Sequence, residues 1–165
     1  MSTISFQNDI LPLKNELFRL ALRITQNRAD AEDVVQDTML RIWKRRDEWA
    51  QIDSIEAFCL TICRNLALDH LRRMSNNEDS LSPDASTFSS SSTPEAIAIS
   101  RDRLQLVRTL IDQLPEKQRS CIQLRDIEGK SYHDIATILD ISEQQVKVNI
   151  FRARQTIKQQ FQKIQ

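Results

Sequence analysis

Apolar residues recur along this chain at steps of three and four, the spacing that gathers them on one face of an α-helix. Between Asp9 and Gln26 they are Ile10, Leu13, Leu17, Leu20, Ala21 and Ile24, interrupted early by Pro12. After a short turn at Asn27-Arg-Ala, a second helix is expected from Asp30 as N-cap to Arg46, with Val34, Val35, Thr38 and Ile42 inward. Glu32 and Asp33 fall in its first turn, where negative charge suits the helix dipole. A third helix is expected from Ser54 to Met74, with Ile55, Phe58, Ile62, Leu66 and Leu71 on its apolar face. From Ser75 to Pro94 the periodicity stops, and the segment is Ser-rich, polar and acidic. Such a composition predicts a flexible linker.

Periodicity returns with Ile97, Leu104, Val107 and Ile111, predicting a helix from Pro94 to Gln113. Leu114-Pro115 ends it, and Pro115 suits the first position of the helix that follows. That next run, Glu116 to Glu128, meets Gly129, the chain's single glycine, where a C-cap is expected. The pattern therefore predicts an all-α protein of two small helical domains: residues 1–74, a linker over 75–94, and residues 95–165.

The stretch from Ser131 to Arg154 is the most informative. Its first helix places Ile135, Ala136 and Leu139 on one face. Its second places Val146, Ile150, Ala153, Ile157 and Phe161 at steps of four, three, four and four. Asp140 tolerates the left-handed conformation needed to end the first helix. Ser142 and Gln145 have the spacing of a capping box. A short helix, a tight turn and a longer amphipathic helix make the helix-turn-helix plan, whose second helix enters the DNA major groove. With Val146 at zero and ~100° per residue, the apolar stripe lies near 20°. Gln144, Gln145, Val148, Arg152 and Gln155 lie opposite, and Gln and Arg can pair bidentately with adenine and guanine edges.

Net charge adds a location rather than a class. The 165 residues carry 23 basic and 23 acidic side chains, so no bulk basicity coats nucleic acid. Residues 74–100 carry no Lys or Arg and four acids, whereas from Val146 onward there are five Lys or Arg and no acid. Phosphate binding is therefore expected to be local. Three cysteines, no signal peptide and no apolar run of membrane-spanning length point to a reducing cytoplasm and no membrane insertion. Cys59, Cys63 and His70 share a helical register, but without a second ligand pair they read as small buried groups rather than a metal site. Gly-rich phosphate loops and HExxH motifs are missing, and the two His, His70 and His133, read as structural or surface residues.

In this order the pieces resemble a bacterial sigma factor of the extracytoplasmic-function group of the sigma-70 family. Asp30-Ala-Glu-Asp-Val-Val-Gln-Asp-Thr-Met-Leu-Arg-Ile-Trp43 resembles region 2.2, and Ala57 to Arg73 resembles regions 2.3 and 2.4. Leu114-Pro-Glu-Lys-Gln-Arg119, Tyr132 to Ala136, Val146-Lys147 and Arg152-Ala-Arg154 resemble region 4. The resemblance implies binding to core RNA polymerase through Asp33, Gln36, Asp37, Leu40 and Arg41. It implies recognition of a promoter's −10 element through Arg64, Asn65, Asp69, Arg72 and Arg73. It implies reading of the −35 element through Gln144, Gln145, Lys147, Val148, Asn149 and Arg152. Control by an anti-sigma factor is typical of the group. Catalytic residues, metal and cofactor are not implied, because the polymerase does the chemistry.

Three positions depart from the family's usual pattern: Phe58 where Trp is common, Asp140 where Gly is common, and Asn149 where a basic residue is frequent. The first two preserve bulk and turn. Asn149, with Val148, bears on which promoter is read. From the residues alone, two other readings stand beside this one: a helix-turn-helix regulator acting without polymerase, and an adaptor that binds another protein through its first helices. Copurification with core polymerase separates them.

Overall fold

The computed structural model describes residues 3–76 and 95–164. All secondary structure among these residues is helical. The expected linker falls outside them, apart from Ser75 and Asn76.

The first apolar run is not one helix. Pro12 has no N–H to donate and crowds the preceding turn, so the chain passes through a wide turn at Phe6–Ile10 and a tight one at Leu11–Leu13. Only then does α1 (Lys14–Thr25) begin. It stops at Gln26, which takes the left-handed conformation at φ 58°. Asn27, extended, then caps α2 (Arg28–Lys44) by accepting the Asp30 N–H at 2.9 Å. The expected cap at Asp30 is thus three residues late. Both residue types cap well, but only Asn27 has the extended backbone a cap requires, because Gln26 has already turned the chain. Asp30 instead meets His70 of α3, Oδ1 to Nε2 at 3.1 Å.

Ser54 caps α3 (Ile55–Asn76) by accepting the Ala57 N–H at 3.2 Å. The three helices pack against one another. Ile10, Leu17, Leu20, Ile24, Ile42 and Leu60 are wholly buried among them, each contributing about 2 kcal/mol of transfer free energy. Cys59 and Cys63 are buried in the same core, where burial pushes both thiols up to about 12. The Cys63 thiol donates to the Leu17 carbonyl at 3.3 Å. His70, turned to Asp30, shares no site with them.

In the second half α4 spans Glu95–Asp112 and α5 spans Glu116–Ile122, extended by a wide turn at Gln123–Ile127. Pro115 stands at the cap of α5, one residue before the expected position, the ordinary margin at a helix end. Gly129 is left-handed at φ 73°, and the N–H of Lys130 closes the end on the Leu124 carbonyl at 2.9 Å. Then come α6 (Tyr132–Leu139), capped by Ser131, and α7 (Glu143–Ile164). Asp140 is left-handed at φ 57°. Ser142 and Gln145 form the reciprocal capping box, each accepting the other's N–H at 3.0 Å. Val146, Ile150 and Ala153 are buried, with Ile157 and Phe161 half-buried below them, so the apolar stripe of α7 lies inward as expected.

The two halves are packed together. α1 lies against α5, α3 lies against α6, and one continuous apolar cluster runs through both halves. The periodicity of each half separately held no sign of this.

Candidate functional site

Three polar surfaces carry the residues singled out by the sequence. On α2, Asp33, Gln36, Asp37, Leu40 and Arg41 are all exposed and recur at steps that make one stripe. Their neighbours one position away, Val34, Val35, Thr38 and Ile42, are buried, so the core holds the stripe rigidly outward. Leu40 is 57 % exposed and Trp43 46 %, an apolar pair inside a charged surface. Trp43 is braced edge-on by Phe6 and Trp49, with the Arg46 guanidinium 4.5 Å from its ring centre.

On the last turns of α3, Asn65, Arg72 and Arg73 are exposed and Asp69 is half-buried. Their spacing puts them on one face, and Arg72 leans back to Asp69 at 3.3 Å. Arg64 does not join them. It is 5 % exposed and grips Glu116 of α5 with two hydrogen bonds, at 2.6 and 3.2 Å. Glu116 is aimed by Ser120, whose hydroxyl donates to it at 2.5 Å. Arg64 therefore lies in the interface between the halves, and the open surface at this end of α3 is built from the other four.

On α7, Gln144, Gln145, Lys147, Val148 and Arg152 are exposed. Two of the six expected contact residues are partly committed to the helix itself. Gln145 accepts the Ser142 N–H, and the half-buried Asn149 donates its side-chain amide to the Gln145 carbonyl at 2.8 Å. Lys147 rests over the ring of Tyr132 at 5.5 Å, with Arg125 on that ring at 4.4 Å. Arg154 is fastened to Asp126 by paired hydrogen bonds. Sequence reasoning passed over Phe151. It is 66 % exposed and stands beside Val148 on the outer face of α7, about 140° round the helix from Val146 and about 120° from the centre of the inward stripe by the same ~100° rotation. Its rank among apolar residues concealed it. The signal was its register, three positions after Val148 and off the inward stripe.

A separate apolar groove is lined by Leu104, Val107, Ile111, Ile157 and Phe161 of α4 and α7, with Arg108 and Lys158 among its polar neighbours. Among the described residues, no cluster of His, Cys, Asp or Glu has the arrangement of a metal site, and no helix is long and apolar enough to cross a membrane.

Comparison with known families matches residues 10–76 to sigma-70 region 2 and residues 104–157 to sigma-70 region 4. The chain belongs to the sigma-70 family. Within it, the similarity is to the extracytoplasmic-function group. The chain is 34 % identical to the ECF RNA polymerase sigma factor SigL of Mycobacterium tuberculosis, over 90 % of this chain and 84 % of that protein. It is 32 % identical to the ECF RNA polymerase sigma-E factor of Haemophilus influenzae, over 82 % of this chain and 77 % of that one. Among solved structures it resembles the sigma factor RpoE of Bartonella quintana, in complex with the anti-sigma factor NepR. The TM-score there is 0.76 at 22 % identity, covering 95 % and 96 % of the two chains. It also resembles CnrH in complex with the cytosolic domain of CnrY, with a TM-score of 0.66 at 23 % identity over 93 % and 84 %. In sigma-70 terms, α1–α3 form region 2 and the helix-turn-helix of α6 and α7 lies in region 4. Sigma factors regulate transcription initiation and are not themselves enzymes.

Proposed function

We propose that this sigma factor binds core RNA polymerase through the α2 stripe and directs it to promoters by two separate DNA contacts. Asp33, Gln36, Asp37, Leu40 and Arg41 meet the polymerase. Asn65, Asp69, Arg72 and Arg73 at the end of α3 meet the −10 element. Gln144, Gln145, Lys147, Val148, Phe151 and Arg152 face the −35 element in the major groove. The observation that carries this reading is the pairing of a region 2 match with a region 4 match in one chain, each presenting an exposed polar face on a helix whose opposite face is core.

Physical chemistry supports dividing the work. Opening duplex DNA costs about 1–2 kcal/mol per stacked step, which a polymerase-bound domain can offset by holding separated strands. Two weak contacts on one tether act together through effective concentration. Val148 and Phe151 favour a −35 sequence with thymine, whose methyl group is the apolar feature of the major groove. The groove between α4 and α7 offers a surface for a protein partner, and an anti-sigma factor is the partner class bound by the structurally similar RpoE.

The test is transcription in vitro with purified core polymerase, this protein and a fragmented genomic library. New transcripts sharing upstream sequence support the reading and supply the −10 and −35 elements. Failure to bind core polymerase overturns it in favour of a DNA-binding regulator that works alone.

A further inference from the structure

The inward stripe of α7 changes along its length. Val146, Ile150 and Ala153 are buried, whereas Ile157 and Phe161 are half-buried and line the groove shared with α4. On the facing wall Ile111 is buried, Val107 is half-buried and Leu104 is 55 % exposed. Apolar surface of this kind is wetted at a cost and gains by being covered. The groove holds about 850 Å³. That lies within the range of small-molecule sites, which are mostly apolar with a few polar groups that fix the ligand's orientation.

The polar groups here are mostly cations. Arg23, Arg108, Arg154 and Lys158 line the groove, and Asp126 is the one acid among the described residues that do so. Arg154 takes Asp126 through paired hydrogen bonds. Arg23 is held by Asp112 and Gln123. Arg108 and Lys158 are exposed, one on each wall, and neither has an acidic partner among the described residues. Each directly follows a half-buried apolar residue, Val107 or Ile157. The surplus positive charge therefore stands beside the apolar trench on both sides. The trench is short, because Leu104 to Ile111 spans about 10 Å of helix. An extended hydrocarbon chain has no polar groups to satisfy there, and a guanidinium or ammonium makes charge-assisted hydrogen bonds to a carboxylate.

We propose that the groove between α4 and α7 binds a free fatty acid, its chain along Leu104, Val107, Ile157 and Phe161 and its carboxylate between Arg108 and Lys158. The site is separate from the three polar surfaces assigned to polymerase and DNA. Binding of the fatty acid does not depend on the promoter reading. Its consequence does rest on that reading: a chain lying in the groove covers the apolar surface offered to a protein partner, so the two exclude each other.

Titrating the isotope-labelled full chain with decanoate, below its critical micelle concentration, tests the site by NMR. Saturable shifts are expected at Leu104, Val107, Ile157 and Phe161, with α2 unmoved. Each buried methylene tightens binding about fourfold, so dodecanoate is expected to bind about fifteenfold more tightly than decanoate. The double variant Arg108→Glu with Lys158→Glu changes exposed side chains only. It is expected to weaken decanoate about tenfold and to turn the preference toward decyltrimethylammonium, which carries the same chain on a cationic head. Circular dichroism checks that the variant keeps its helices. Should it unfold, the wild type's preference for decanoate over decyltrimethylammonium reads the same charge recognition. No saturable shift, equal binding of the two head groups, or shifts scattered over both halves overturns the site. An acidic amphipathic peptide, or a second copy of the chain, that moves these resonances when decanoate does not also overturns it, and names that occupant instead. Decanoate binding by a protein that fails to bind core polymerase counts against the sigma-factor reading alone.

Discussion

Lys130 brings its ammonium within 2.9 Å of Glu16, 114 residues earlier in the chain by subtraction of their numbers, and both side chains are nearly enclosed. Burial alone lowers the Lys130 pKa, but hydrogen bonds and negative charge from Glu56 and Glu16 outweigh it, and the net movement is upward from 10.5. A cation raised in the folded state adds stability that is fully present below its unfolded value and is lost as pH rises through the folded one. Unfolding by urea is therefore expected to show no contribution from this group's titration between about pH 7 and pH 9, and a loss only beyond about 10.5. Lys130→Met strands Glu16 and is expected to cost about 2 kcal/mol after allowance for solvent around Glu56. A melt indistinguishable from wild type counts against the cluster as a stabilising element.

Reversing a charge on α2 separates surface from scaffold. Asp37 is exposed on the stripe while its neighbour Thr38 is wholly buried. Asp37→Arg is expected to leave the melting temperature within about 2 °C, as surface changes do, while weakening core polymerase binding at least about tenfold. Binding unchanged in a pull-down titration removes Asp37 from the interface.

The apolar pair on α7 can be tested without altering the protein. Uracil lacks the thymine methyl group, so replacing thymines one at a time in the −35 DNA removes only that contact. A buried methyl is worth about 0.8 kcal/mol, so one or two positions are expected to lose about fourfold in affinity. Phe151→Ala and Val148→Ala should each erase the sensitivity at the position they touch. Equal binding to all-uracil DNA rules out methyl recognition.

The thiols report on burial in the core. Cys59 and Cys63 are buried with their pKa pushed up to about 12, and Cys121 is buried and pushed up to about 11. At about pH 8 the reactive thiolate is scarce and shielded, so a disulfide reagent is expected to modify none of the three quickly in the native chain and all three in denaturant. Rapid native labelling of Cys63 contradicts its placement in the core.

What could be read in advance was local. Asp140, Ser142, Gln145 and Gly129 act on residues within six positions of themselves, and their turn and caps stand where the pattern put them. The inward face of α7 followed from spacing alone. Two local choices were degenerate: Asn27 and Asp30 are both good caps, and only the backbone at Gln26 decides between them. Asn149 donates its side-chain amide to the Gln145 carbonyl, a bond four residues back along its own helix that spacing alone does not reveal. The fate of Arg64 could not be read at all. Its partner Glu116 lies in the other half, and no periodicity in either half encodes how the two meet.

Arg119 gives this last point a practical side. Its guanidinium donates to carbonyls at the end of α4, at Leu114, and at the end of α1, and burial lowers its pKa despite the acids nearby. One side chain thus seals helix ends that belong to different halves. Hybrid proteins that graft the first half of one family member onto the second half of another inherit a mismatched seam unless these crossing residues are exchanged together. The two halves are best engineered as a matched set.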